Sequence, residues 1–416
     1  MLKDSTPPLF RHQKRGFLNT THAGLKRWAL FPRIKLLNRV ILAFFILVCF
    51  LQIPCLAERH IKIGVSLGLT GRFAVMSDAL YKGFKLWEQH VNKAGGILGR
   101  PVQVIARDDH SDPDRAKDLY RQFIREDNVD FLFAPYSSLI TEAVLPIAEK
   151  NDIPILIAGA AADRLWEMGC RNAIGIYTPA SKFSVGFLEL IVMQGLDGIA
   201  IVYAKDPFSI DLAESSRKWA KRFGLKVLLY EGFKKGTKKL DPFALEAKKR
   251  NCQVLMVCGH MNEAVDMSFA LKRIGWRPEA FYASVGPALQ AFCDKCCPDV
   301  ERVFGTSLWE PRANYPGAQK FERDFTVAFG TAPGYHAGLA YAAGQVLQEA
   351  AREAGSMDRE KIRSSLHRLD TMTIIGRFGV DSKGKQVRQH TFIIQWQDGK
   401  KELVWPKEIQ TAEPRF

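Results

Sequence analysis

From residue 59 onward the chain alternates short apolar runs with longer stretches in which apolar side chains recur every three or four positions. The runs IKIGVSLGL (61–69), VQVIA (102–106), DFLFA (130–134) and IPILIA (153–158) carry few polar residues. They therefore predict strands buried on both faces rather than strands with one solvated side. Between them, residues 78–93, 113–127 and 139–151 have helical spacing. Phe84, Trp87 and Val91 share one face, as do Leu119, Phe123 and Ile124. Asp112-Pro113-Asp114 is a helix start: a capping carboxylate, a proline at the first helical position and an acid favoured by the helix dipole. Strand and helix alternating in this way predict right-handed βαβ units and a parallel sheet.

The rhythm then begins again. IAIVYA (199–204), KVLLYE (226–231), QVLMVC (253–258) and AFYASV (280–285) predict strands, with helices at 181–195, 210–223, 241–250 and 262–275. Helical segments at 316–329 and 335–354 follow. The chain closes on a hairpin pattern: TFIIQWQ (391–397), Asp398-Gly399 and ELVW (402–405). Two successive four-strand runs predict an α/β protein with two doubly wound, parallel-sheet lobes.

Residues before 58 follow a different pattern. A basic leader runs into ILAFFILVCFLQI (41–53) and then Pro54-Cys55-Leu56-Ala57. A charged n-region, an apolar h-region and a small-x-small exit predict a secretory signal peptide over residues 1–57. The apolar run falls short of the ~20 residues of a spanning helix and ends at Pro54, which leaves a retained anchor as the alternative. The leader also changes the charge. The full chain carries +15, yet the leader holds nine Lys/Arg against one acid, leaving 50 basic and 43 acidic side chains beyond it. Those charges are interspersed along helical segments, so no nucleic-acid partner is expected. The lysines at 234–239 read as a solvated loop. The remaining length is enough for two ordinary domains.

Six cysteines follow the leader: Cys170, Cys252, Cys258, Cys293, Cys296 and Cys297. Export makes disulfides the default. Cys252 and Cys258 lie on one strand, roughly 20 Å apart at about 3.3 Å per residue, and cannot pair with each other. The Cys-x-x-Cys-Cys cluster can close a local bridge, whereas a zinc site there would need a ligand from elsewhere.

Gly64-Val65-Ser66-Leu67-Gly68 matches a nucleophile-elbow pattern, but its serine falls inside the first strand rather than at a strand-to-helix turn. The acids at 108–112 read as a strand end and a helix cap. No spacing of His, Asp, Glu or Ser singles out an acid–base or nucleophilic pair, so neither an enzyme nor a cofactor or metal is expected. The distinctive chemistry lies where strands end. Residues 71–78, Pro135-Tyr136-Ser137-Ser138, Ala158-Gly159-Ala160-Ala161, Asp206-Pro207-Phe208, Gly259-His260-Met261 and Ser284-Val285-Gly286 supply small residues, hydroxyls and apolar walls. Open parallel sheets bind small molecules at this edge.

At these residues the chain resembles the type I periplasmic solute-binding proteins, and within them the leucine/isoleucine/valine-binding family that serves ABC importers. The resemblance rests on IKIGVSLGLTG, on VNKAGGILGRPVQVIARDDHSDPDRA, on APYSS and PILIAGAA, and on GRFGVDSKGKQVRQHTFIIQWQDGKKELVWP. It implies two lobes joined by three crossovers and closing on a ligand. The first lobe would comprise 58–178 and 310–376, the second 179–309 and 377–405, with a tail at 406–416. The crossovers would fall near Thr178-Pro179, Leu308-Trp309-Glu310 and Gly376-Arg377-Phe378.

The resemblance also implies a binding set. Ser138 matches the serine that holds the ligand carboxylate, and Ala160 and Ala161 fall in the backbone loop that binds the same group. Met76 and Phe208 match apolar walls, and His260 stands where an aromatic residue is usual. Ala161 replaces a threonine, and Val285 stands where an acid pairs with the ligand ammonium. Ser111 and Ser137 occupy the positions of a family disulfide. A buried ammonium without a partner is costly. A carboxylate or neutral ligand without an amine therefore fits better than a branched-chain amino acid, unless Glu310 or Asp206 substitutes for the missing acid. The expected protein is a periplasmic, non-enzymatic monomer that delivers a small organic ligand to an ABC permease. A sensor built on the same fold is the alternative.

Overall fold

The apolar runs form two sheets whose strand orders repeat one another. The computed structural model describes residues 59–416, and the signal peptide expected over 1–57 lies outside the described residues. Strands β1 (Ile61–Leu67), β2 (Val102–Asp108), β3 (Phe131–Phe133), β4 (Ile155–Ile157) and β5 (Ala173–Gly175) lie in the order β2-β1-β3-β4-β5. Every neighbouring pair among them is parallel. Strands β6 (Gly198–Ala204), β7 (Lys226–Phe233), β8 (Val254–Cys258), β9 (Ala280–Ala283) and β10 (Val303–Ser307) repeat that order as β7-β6-β8-β9-β10, again all parallel. A short antiparallel pair, β11 (Thr371–Thr373) and β12 (Gly376–Phe378), stands apart. The terminal hairpin β13 (Phe392–Gln397) and β14 (Lys400–Trp405) extends the second sheet antiparallel to β10. Strand order reverses at β1/β3 and at β6/β8, and such switch points are where doubly wound sheets leave a crevice for ligands.

Burial explains the order. β3 (Phe-Leu-Phe) and β4 (Ile-Leu-Ile) are fully buried and occupy the middle of their sheet. VQVIA, read as buried on both faces, is instead at an edge: Gln103 is exposed and the end of β2 is half-buried. The four-strand runs are also each one strand short. β5 and β10 went unread, as did the helices Gln290–Cys296 and Arg359–Arg368.

The helices Ala74–Lys93 and Tyr335–Ala354 pack closely against each other because glycine sits at both contacts. A Cβ at Gly83 would collide with the Ala337 carbonyl, and one at Gly344 with the Trp87 ring. The cap read at Asp112 is present, its carboxylate accepting from the Arg115 amide at 2.8 Å.

One boundary differs from expectation. The third crossing lies beyond Gly376–Phe378, because the Gly175 amide at the end of β5 donates to the Gly384 carbonyl at 2.7 Å. That bond keeps the chain on the first sheet. Gly384 has φ +80°, and a Cβ there would meet the Ala173 carbonyl, so only glycine makes this approach. The crossing then involves Gln389, whose Oε1 accepts from the Thr178 hydroxyl and whose Nε2 donates to the Leu308 carbonyl at 2.9 Å. One side chain thus ties together all three crossings. Residues 406–416, the expected tail, pack on the second sheet. The Arg415 and Glu413 carbonyls accept from Gln395 and Gln397 of β13 at 2.6 and 2.7 Å, and Phe416 packs on Phe304.

Candidate ligand-binding site

The loops at the carboxyl ends of both sheets converge on one small cavity. From the first sheet, Tyr136, Ser137 and Ser138 follow β3, Gly159, Ala160 and Ala161 follow β4, and Tyr177 follows β5. From the second, Phe208 follows β6, His260 follows β8 and Val285 follows β9. A larger hollow around Trp276 lies at the opposite, amino ends of β9 and β10, away from these loops.

Hydrogen bonds fix the loops that carry the lining. Ser138 opens the helix Ser138–Lys150, and its Oγ accepts from the amides of Ala161 and Ala162, each at 3.1 Å. The Ser284 hydroxyl donates to the Gly259 carbonyl at 2.8 Å and accepts the Gly259 amide at 3.0 Å, locking the ends of β8 and β9 together. The His260 amide donates to Glu263, which caps the following helix Met261–Arg273.

The two halves meet directly at the cleft. Tyr136 OH shares a hydrogen bond of 2.9 Å with His260 Nδ1. Phe73, from the loop after β1, lies with its ring centre 5.2 Å from both of those rings. At the rim, Arg164 Nε and Nη2 donate to Asp211 at 3.1 and 2.7 Å, and the Arg164 amide donates to the same carboxylate.

The buried charges are already matched. Asp206 caps the helix Pro207–Arg222, accepting from the Ser209 amide and hydroxyl at 3.1 Å. It also pairs with Lys235 Nζ at 3.3 Å and faces His260 Nε2 at 3.6 Å. Burial opposes its charge, but His260, Lys235 and the Ser209 amide outweigh burial and hold the carboxyl well below the usual range. Glu310 pairs with Lys401 at 2.9 Å. Behind Tyr136 lies His336, whose pKa burial and neighbouring His260 push down to about 3, so its ring is neutral. Several buried atoms here make no hydrogen bond: both nitrogens of His336, Ser137 Oγ and Tyr335 OH, while His260 Nε2 and Lys235 Nζ have only their ionic approach to Asp206.

Of the residues expected to line the site, Ser138, Ala160, Ala161, Phe208, His260 and Val285 are brought together. Met76 is not. It is buried in the first turn of the helix Ala74–Lys93 and does not line the cavity. Tyr177 gave no signal, because it follows a strand too short to read. Lys235, expected in a solvated loop, has a side chain that is 14 % exposed, and its Nζ sits 5.1 Å from the Phe73 ring centre. The signal was available: Lys235 closely follows β7, at the same strand-end edge that marks the other loops. The expected local bridge joins Cys293 and Cys297, and Cys170, Cys252, Cys258 and Cys296 are free thiols. Ser66 is inside β1 and donates to Asp109 at 2.7 Å, a structural role. Among the described residues no cluster of three or more His, Cys, Asp or Glu could hold a metal ion.

Two sheets of repeated order with a cavity between their strand ends define a bilobal, doubly wound α/β fold. Residues 60–401 match the periplasmic binding protein family model, and the chain belongs to that family. Leu/Ile/Val-binding protein homolog 7 of Brucella suis biovar 1 (strain 1330) is 24% identical over 379 residues, spanning 86% of this chain and 95% of that protein. The fold is shared with the substrate-binding protein LivJ of Streptococcus pneumoniae in complex with isoleucine (TM-score 0.76, 20% identity, 84% of this chain and 100% of that one). It is shared too with an ABC-transporter solute-binding protein of R. palustris in complex with benzoate (TM-score 0.74, 18% identity, 86% and 98%).

Proposed function

We propose that this chain is the extracytoplasmic receptor of an ABC importer, closing around a small organic carboxylate that lacks an α-amino group and delivering it to a permease in the cytoplasmic membrane. The observation that carries the ligand class is that, among the described residues, no carboxylate stands uncommitted at the cavity. Val285 contributes an apolar wall where a zwitterion would need an acid, and Asp206 is bound to Lys235. The carboxylate end is provided for by Ser138 Oγ and the Ala160-Ala161 backbone, which gather hydrogen-bonding groups at one end of the cavity. The ligands of the two structural neighbours, isoleucine and benzoate, have a carboxylate in common and differ in the amine. Ser138 Oγ accepts two backbone amides instead of engaging a base, which suits binding and not turnover. The leader and the family support a periplasmic location.

A ligand that binds only the folded state raises the melting temperature by mass action. Residues 58–416 screened against amino acids, aromatic and aliphatic carboxylates, amides and urea should respond to a carboxylate without an amine. A response confined to amino acids would overturn the proposed ligand class.

A further inference from the structure

The lysine expected in solvent is instead the cation paired with Asp206, the acid that faces the cavity-lining His260. Lys235 Nζ lies 3.3 Å from Asp206 Oδ2 and 5.1 Å from the Phe73 ring centre, so it touches both halves of the molecule. Asp206 is 4% exposed, and its two oxygens already serve the Ser209 amide, the Ser209 hydroxyl, Lys235 and His260. His260 in turn lines the cavity and bonds Tyr136 across it. Of the other buried carboxylates, Glu263 caps its own helix, Glu310 holds Lys401, and Asp109 accepts from Ser66 and Ser111.

We propose that Lys235 is a specificity-determining residue: a tethered ammonium that occupies the chain's own carboxylate and so makes the site select amine-free carboxylates over α-amino acids. The inference rests on the carboxylate-receptor reading above. An arriving α-ammonium would be desolvated in the closed cleft without a partner, or would have to displace Lys235 from Asp206 and leave that cation unpaired beside Phe73. Either route penalises the zwitterion, and specificity of this kind comes from the unpaired charge in the wrong complex rather than from extra contacts in the right one.

The test uses leucine and 4-methylpentanoate, which share a carbon skeleton and differ only in the α-amino group, titrated calorimetrically into residues 58–416. Wild type should bind 4-methylpentanoate at least tenfold more tightly than leucine. Lys235→Met, which keeps the apolar stem and frees Asp206, should shift the ratio of the two affinities at least tenfold toward leucine. Lys235→Arg should restore rejection of leucine, and Lys235→Gln serves in place of Lys235→Met if that variant fails to fold. An unchanged ratio in a folded, charge-removed variant would overturn the role of Lys235 and leave the receptor reading intact. Wild type binding leucine as tightly as 4-methylpentanoate would overturn the role of Lys235 and the amine-free ligand class together. Binding of leucine alone would overturn both.

Discussion

A single hydroxyl organises the carboxylate end of the cavity. Ser138 Oγ accepts the amides of Ala161 and Ala162, and its own proton remains available to a bound anion. Ser138→Ala should weaken a carboxylate ligand by about 1–3 kcal/mol, read by calorimetry, and unchanged affinity would remove Ser138 from the site. Asp109 makes a second prediction at this scale. Its side chain is buried, and burial lifts its pKa to about 6 despite bonds from Ser66 and the Ser111 amide. Between pH ~4 and ~6 the folded state keeps a proton that the unfolded chain has released. Stability supplied by this group therefore falls as pH rises through that window and levels off above it. Asp109→Asn should gain on wild type from pH 4 to 6.5, by on the order of 2–3 kcal/mol for a two-unit shift, as followed by urea denaturation. A pH-independent difference would contradict the assignment. Much at this scale was legible, including the position of Ser66 within a strand and the Asp112 cap, because both depend on neighbours in sequence. Lys235 was not, because its burial depends on Asp206 and Phe73, which lie 29 and 162 residues away.

At the scale of elements, the contact between the helices Ala74–Lys93 and Tyr335–Ala354 depends on glycines at Gly83 and Gly344. Alanine raises helix propensity by up to ~1 kcal/mol, but its Cβ would strike the Ala337 carbonyl or the Trp87 ring. Packing should prevail, so Gly344→Ala is expected to destabilise by about 1–3 kcal/mol in chemical denaturation. Stabilisation would mean that the helices separate freely. Long periodic elements such as these were readable from spacing alone. β5, with three residues, carries too little pattern to be read, and the helix Arg359–Arg368 has only two well-buried apolar side chains, Ile362 and Leu366. The edge position of β2 was invisible for another reason: an apolar run reports burial on its faces and says nothing about which strands flank it.

Across the whole molecule, the repeated strand order brings two sets of carboxyl-end loops to one cavity, and the rim is held by Arg164 on Asp211. Arg164 is 39% exposed, so the pair is screened and worth up to ~1 kcal/mol. Asp211→Ala, which leaves the cavity untouched, should weaken ligand binding up to about fivefold, mainly through faster release. The repeat itself was legible as two rounds of strand and helix, and the cavity as the strand-end loops. The place of the third crossing was not, since it depends on Gly384 meeting β5 across 209 residues. The most direct test of the receptor reading is a crystal structure of residues 58–416 with the carboxylate that gives the largest melting shift. It should place the carboxylate within hydrogen-bond reach of Ser138 Oγ and the Ala161 amide, with Lys235 still paired to Asp206. A ligand bound elsewhere, or a ligand ammonium on Asp206 with Lys235 displaced, would contradict the account.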